Sequence, residues 1–211
     1  MTMQYGVDVA SQRLDDLDKR VLAAVQEMVS VGVSPRVLDV GCGQGGLSLA
    51  LAATGAKVVA LDIDDYGDVI QGQSVPHGEA IDFIQADIRD WVVTNTERFD
   101  LGVLQRVLHY LPYKDAQIVL EKLRNVSDKL YLSVTGTTTA IASHYDALTM
   151  PITERWGRLD AVGQELFSIS APLCLYTESE LRELLLKTGW EIEWLRVSDF
   201  GNIKVEATYR S

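Results

Sequence analysis

Apolar and polar positions along this chain follow two periods, and the periods alternate. Residues 37–40, Val-Leu-Asp-Val, read as a short buried strand, and residues 47–52, Leu-Ser-Leu-Ala-Leu-Ala, as the helix after it. Short apolar runs at 57–62, 81–86, 99–104 and 129–135 predict four more strands. Upstream, Leu14, Leu17, Val21, Leu22, Val25 and Met28 recur at helical spacing, which predicts a helix over 11–28 that Gly32, Ser34 and Pro35 end. Asp15, Asp16 and Asp18 suit its positive end. Further helices are expected at 89–93 and at 115–126, where Ile118, Val119, Leu120 and Leu123 face a sheet. Thr177 and Glu180 form a capping box before a helix over 179–188 that Gly189 stops. The chain then reads as strand 190–197, a turn at Gly201 and Asn202, and strand 203–209, where Ile203, Val205, Ala207 and Tyr209 alternate with polar residues.

Strands alternating with helices argue for an α/β domain on a mostly parallel sheet. Two segments depart from that rhythm. Residues 64–80 carry Gly67, Gly72, Pro76 and Gly78, which predicts a short helical turn and a long loop, with His77 exposed in it. Residues 136–176 mix Thr, Ser, Ala and Gly with His144, Tyr145, Trp156 and Phe167. A long segment at the carboxyl end of a strand belongs to the ligand side of an open sheet, so 136–176 is read as a partly helical lid.

The candidate chemistry starts between the first strand and its helix. Gly41, Gly43, Gly45 and Gly46 fall within six positions, in the order strand, glycine turn, helix. That order turns backbone N–H groups and a helix N-terminus toward a ligand. The spacing alone is ambiguous. Gly41, Gly43 and Gly46 satisfy the dinucleotide pattern G-x-G-x-x-G, and Gly41, Gly43 and Gly45 satisfy G-x-G-x-G. Asp62 closes the second strand nineteen positions after Gly43, near the spacing of an acid that accepts from ribose hydroxyls, though a helix N-cap also fits it. Asp87 follows the third strand, where a cap for the next short helix is the alternative.

The run Asp39-x-Gly41-x-Gly43-x-Gly45 resembles the cofactor loop of the class I S-adenosylmethionine-dependent methyltransferases. The Val-Leu-His-aromatic-Leu run at 107–111 resembles the same family, from 37 to 135 strongly and from 177 to 209 more weakly. The resemblance implies one domain over 1–211, with an N-terminal arm and helix at 1–34 and the lid as an insertion. It implies a three-layer sandwich whose seven-stranded, mostly parallel sheet ends in an antiparallel hairpin. It assigns S-adenosylmethionine to Asp39, Gly41, Cys42, Gly43 and Gly45, with Asp62 on the ribose and Ile63 under the adenine. Asp87 and the backbone of Ile88 would read the adenine edge, and Gln105 the methionine portion. Tyr5 and Arg13 would come from an arm closing over the cofactor.

Composition narrows the partner. The chain has 211 residues, a formal net charge of −11 and no Lys/Arg run, which disfavours nucleic acid. Two cysteines, Cys42 and Cys174, suggest neither a disulfide framework nor a metal site. No apolar run approaches a membrane span and the first residues carry no leader-like core, so a cytoplasmic protein is expected, acting on a small-molecule methyl acceptor. The segment after the fourth strand lacks the Asn/Asp-Pro-Pro-aromatic motif of adenine amino methylation, and no Pro-Cys pair marks cytosine methylation.

Two other functions fit parts of the pattern. Tyr110 and Lys114 match the Tyr-x-x-x-Lys spacing of nicotinamide-dependent dehydrogenases, but Pro112 between them would break the helix that must align them. A module that keeps the cofactor and transfers nothing is the other. For methyl transfer, His109 after the fourth strand and His144 early in the lid are the candidate bases, converging on the methyl group from neighbouring strands.

Overall fold

The computed structural model describes Gln4, Tyr5, residues 14–73 and residues 81–209. Arg13 and His77 lie outside them.

Seven strands form one sheet in the order β3-β2-β1-β4-β5-β7-β6. They are β1 Arg36–Val40, β2 Lys57–Asp62, β3 Ile81–Gln85, β4 Leu101–Gln105, β5 Lys129–Thr135, β6 Glu191–Val197 and β7 Asn202–Thr208. β1 to β5 pair in parallel, and β7 runs antiparallel to both β5 and β6. The expected hairpin is present, with β7 between β5 and β6 and β6 at the sheet edge.

Strand alternation explains the two outer layers. Val37, Val58, Leu101, Val103 and Tyr131 pack with Leu17, Val21 and Val25 of α1 (Asp16–Ser30) and Leu47 and Leu51 of α2 (Gly46–Ala53). Leu38, Val40, Leu104, Leu130, Leu132 and Val134 face the other side. There they meet α4 (Ile88–Thr94), α5 (Tyr113–Leu123) and α7 (Glu178–Lys187). A short α3 (Gly67–Gln71) buries Ile70 beside Cys42 and Ala60. Among the described residues no helix is long and apolar enough to cross a membrane.

Several ends differ from expectation for local reasons. α1 begins at Asp16 because Asp15 caps it: the Asp15 side chain accepts from the N–H groups of Leu17 and Asp18, and Asp18 accepts from the Asp15 N–H. Leu14, counted into the apolar stripe, precedes that cap. α5 begins two residues early because Pro112 is its N-cap. Phe99 is not in β4 and forms an isolated bridge with Ser127.

Residues 136–176 hold two 3₁₀ turns, Ala140–His144 and Asp146–Thr149, and α6 (Ala161–Phe167) around a small core of Ala142, Tyr145, Leu159, Ile169, Leu173 and Leu175. Two polar ties fasten this cap. The Tyr145 hydroxyl donates to the carbonyls of Arg155 and Leu173. Arg155 forms a bidentate pair with Glu180 on α7, at 2.7 and 2.9 Å, and also donates to the carbonyls of Met150 and Leu175.

Candidate functional site

A cavity of about 500 Å³ opens over the carboxyl ends of the parallel strands. Its walls come from three sources: the loops after β1 to β4, the cap, and Tyr5. Crevices at this end of an α/β sheet are the usual ligand sites, because strand ends and helix starts leave side chains and backbone groups facing one space.

The acidic end is built by β1, β2 and β3. Gly41 and Gly43 both have positive φ, 70° and 52°, so the loop turns sharply back over β2. The N–H groups of Gly41 and Cys42 donate to the carbonyl of Leu61. The Gly43 N–H donates to the Asp62 carboxylate at 2.8 Å. These amides were expected to face a ligand; they instead fasten the loop to β2. Asp62 also accepts from the Asp64 N–H at 3.0 Å, one bond on each oxygen. Each oxygen has a second acceptor site to spare. Burial raises the Asp62 pKa against the backbone N–H groups of Asp64, Gly43 and Ile63, which lower it.

Asp87 caps α4 by accepting from the Arg89 N–H at 2.9 Å, and the Arg89 guanidinium closes on both of its oxygens. Arg89 holds the carboxyl below its usual range. It also reaches Asp115 at 3.3 Å. The N–H of Ile88, first in α4, has no acceptor within its own helix.

Gly41, Gly43, Asp62, Ile63, Asp87, Ile88 and Gln105 line the cavity, whereas Asp39, Cys42 and Gly45 do not. Alternation along β1 puts Asp39 on the α2 side, where it is buried and accepts from the Ser48 hydroxyl at 2.6 Å. It thus supports the first turn of α2. Cys42 is buried against Ala60 and Ile70. Gly45 caps α2 at φ 83°, and a Cβ there would lie 2.8 Å from Ile70. The Gln105 amide donates to Asp18 on α1, so its side chain is committed to holding α1 against the sheet.

The other end of the cavity is aromatic. His109 and Tyr110 sit on a 3₁₀ turn, Leu108–Tyr110, with ring centroids 4.2 Å apart. The Tyr110 hydroxyl donates to the carbonyl of Tyr5, and the two tyrosine rings meet edge to face at 5.1 Å. Tyr5 also bridges Ile169 of the cap and so lies over this end of the cavity. His109 is buried, and its Nδ1 accepts from the Thr135 N–H at 3.4 Å, which puts the ring proton on Nε2. Burial, reinforced by the nearby Arg106 charge, drives its pKa down to about 3.

The structure brings His109 to the cavity and keeps His144 off it. His144 Nδ1 lies 3.1 Å from both oxygens of Asp160, and its ring meets Phe167 edge to face. A Cβ on Gly163 would sit 2.5 Å from His144 Cβ, so the cap is closed tightly around this residue. Tyr110 and Lys114 lie on different elements with Pro112 between them, which removes the dehydrogenase geometry. Among the described residues no cluster of His, Cys, Asp or Glu could hold a metal ion.

Sequence reasoning passed over Arg106. It lines the cavity with φ 55°, a left-handed backbone rare outside glycine, and its N–H is held by the Ser133 carbonyl at 2.8 Å.

Comparison with known proteins agrees with this architecture. A family profile described as a methyltransferase domain matches residues 37–129. A ubiquinone biosynthesis O-methyltransferase from Xanthomonas axonopodis pv. citri (strain 306) is 31% identical over 136 residues, covering 59% of this chain and 57% of the relative. The chain spans about half the length of the curated relatives it matches. Among solved structures, magnesium protoporphyrin IX methyltransferase from Synechocystis PCC 6803, with bound SAH, superposes with a TM-score of 0.63 at 20% identity, covering 94% of this chain and 89% of that one. The 1,6-didemethyltoxoflavin-N1-methyltransferase of Burkholderia thailandensis gives 0.65 at 17% identity, covering 97% and 82%. At these identities the structures establish the fold.

Proposed function

We propose that this chain is a class I S-adenosylmethionine-dependent methyltransferase, as the methyltransferase-domain match and the shared fold support, and that it methylates a small molecule in the cavity over its parallel strands. One observation carries the reading: Gly41, Gly43, Asp62 and Asp87, at the ends of three adjacent strands, share a wall of one cavity. S-adenosylmethionine, when bound, supplies a methyl group already activated on a sulfonium.

The chain's own groups fit that cofactor. Asp62 has one free acceptor site per oxygen for a pair of ribose hydroxyls, and Gly43 has no side chain to obstruct their approach. Ile63 offers an apolar side chain and Ile88 a backbone donor to an adenine. Asp87 stays ionised under Arg89, and Asp62 and Asp64 complete a carboxylate-rich wall suited to a cationic ligand. Gln105 acts through α1, and Asp39 through α2.

For the acceptor, the aromatic end is walled by His109, Tyr110, Phe167 and Ile169, and Tyr5 shields it from water. A ring with a pKa of about 3 binds a proton too weakly to serve as a base at neutral pH. We therefore assign His109 the role of an uncharged donor through Nε2, orienting the acceptor. Catalysis then rests on alignment of acceptor and methyl group and on exclusion of water. A cavity of about 500 Å³ suits a small acceptor, as do the relatives' names: ubiquinone biosynthesis in one, a structure holding 1,6-didemethyltoxoflavin in another. Residues 136–176 act as the substrate cap of a single domain. Its two free cysteines suit the reducing cytoplasm, where we place the reaction.

Calorimetry with S-adenosylhomocysteine tests the reading. Saturable binding is expected; no heat and no thermal shift at millimolar ligand would overturn it. Transfer of label from the cofactor to small phenols, acids, amines and thiols then identifies the acceptor.

A further inference from the structure

We infer that Arg106 determines acceptor specificity by pairing with the carboxylate of an aromatic or otherwise apolar acid. The inference rests on the methyltransferase reading and adds to it the chemical class of the acceptor.

The first observation is a partner count. Ten arginines lie within the described residues, and nine have a partner for the guanidinium. Arg20, Arg36, Arg89, Arg98, Arg155, Arg182 and Arg196 pair with carboxylates. Arg124 and Arg158 donate to the carbonyls of Glu121 and Ser170. Only the Arg106 guanidinium has no hydrogen-bond, ion-pair or ring partner among the described residues, in a chain whose formal net charge is −11. In so acidic a protein an unpaired, half-buried cation is the exception, and guanidinium is the side chain best shaped for two parallel bonds to a carboxylate.

The second observation is place. Arg106 lines the main cavity and also a neighbouring one of about 670 Å³ bounded by α1 and the β6–β7 turn. It stands where the two spaces share Gln105 and Asn202. Its charge acts on His109 and Tyr110, at the aromatic end. The walls around it, Tyr110, Ile141, Phe167 and Ile169, suit an apolar ring.

The third observation is backbone strain. A residue other than glycine at φ 55° is strained and persists where the surroundings impose it. Here the Arg106 N–H is held by both the carbonyl and the hydroxyl of Ser133, at 2.8 and 3.2 Å. Glycine would relieve the strain and delete the cation. A guanidinium and a sulfonium in one cavity also repel each other, and an anionic acceptor between them cancels that repulsion.

The experiment loads the protein with S-adenosylhomocysteine and titrates it with benzoate, phenylacetate and 3-phenylpropionate, each beside its neutral amide. At least one acid should bind the wild-type complex roughly tenfold or more tighter than its amide. Arg106→Gln should abolish that preference while S-adenosylhomocysteine affinity stays within about twofold, and Arg106→Lys should restore part of it. Equal binding of acid and amide, or no acid bound at millimolar concentration, overturns the inference and leaves the cofactor reading standing. A tenfold loss of S-adenosylhomocysteine affinity in Arg106→Gln overturns it as well, since Arg106 would then hold the cofactor's own carboxylate. Failure of the wild type to bind S-adenosylhomocysteine would instead remove the reading beneath it.

Discussion

The acidic end of the cavity and the cap over its other end are held together differently. At the acidic end each carboxylate has a tie to a close sequence neighbour: Asp62 accepts from the backbone two residues on, Asp87 from Arg89 two residues on, and the glycine loop hangs by its backbone from the strand beside it. In the cap and against it the ties are side-chain bonds across the sequence: Tyr145 reaches Leu173, Arg155 reaches Glu180, and below the cap Tyr110 reaches Tyr5. Turn chemistry therefore shapes the acidic wall, whereas tertiary packing shapes the aromatic one. The first should vary little among proteins that share a cofactor, and the second is free to follow the acceptor.

Substitutions can separate the two. The largest effect should come from the cap. Arg155→Met would leave Glu180 and the carbonyls of Met150 and Leu175 without their donor, at a cost of about 3–5 kcal/mol in urea unfolding. S-adenosylhomocysteine affinity of the folded fraction should stay unchanged; a parallel loss of affinity would mean the two ends are coupled. Next comes Asp62→Ala. Each charge-assisted bond from a ribose hydroxyl contributes on the order of 1.5–3 kcal/mol, so cofactor affinity should fall at least roughly tenfold by calorimetry while the fold survives. An unchanged dissociation constant would reduce Asp62 to an anchor for Gly43.

His109 gives a smaller effect with a defined pH signature. Its folded pKa of about 3 lies below the value of about 6.5 it regains on unfolding. The unfolded chain therefore takes up the proton first, and stability is full above about pH 6.5 and declines as pH falls toward 3. Between about pH 8 and about pH 5 this linkage removes roughly 2 kcal/mol, and His109→Gln should abolish that part of the slope. Equal slopes in wild type and variant would show that the ring is not buried in its neutral form. The smallest effect should be that of His144→Ala, whose ring lies outside the cavity wall against Asp160: methyl transfer should remain near wild type. A hundredfold loss would return His144 to the mechanism.

The same division sets what the sequence discloses. β2 and β5 begin and end where their apolar runs do, and the Thr177–Glu180 capping box starts α7, because each signal lies within a few residues of what it specifies. Asp62 was found by its distance from Gly43, and the two are hydrogen-bonded. Asp39, Cys42 and Gly45 carry the same motif, yet their side chains or Cβ positions turn toward α2 and Ile70; a motif names the loop and not the direction of each residue. Gln105 engages Asp18 from 87 positions away, and no local pattern reports such a partner. Arg106 had a legible signal: a cation immediately after a buried strand, beside a residue already singled out. Its lack of a partner is visible only in three dimensions.

The placement of β7 between β5 and β6 carries a consequence for the nascent chain. The parallel half of the sheet, through Thr135, is complete well before residue 202 is made. At roughly 5–20 residues per second, ribosomes need on the order of several seconds to cross the intervening segment. Throughout that time the flank of β5 has no neighbour, and Leu130, Leu132 and Val134 lack the cover that Ile203, Val205 and Ala207 later give them. An open, apolar strand flank is a template for pairing with other chains. Production of this protein should therefore depend on chaperone supply, and slower growth temperatures should lengthen the exposure even as they weaken the hydrophobic attraction that makes it hazardous.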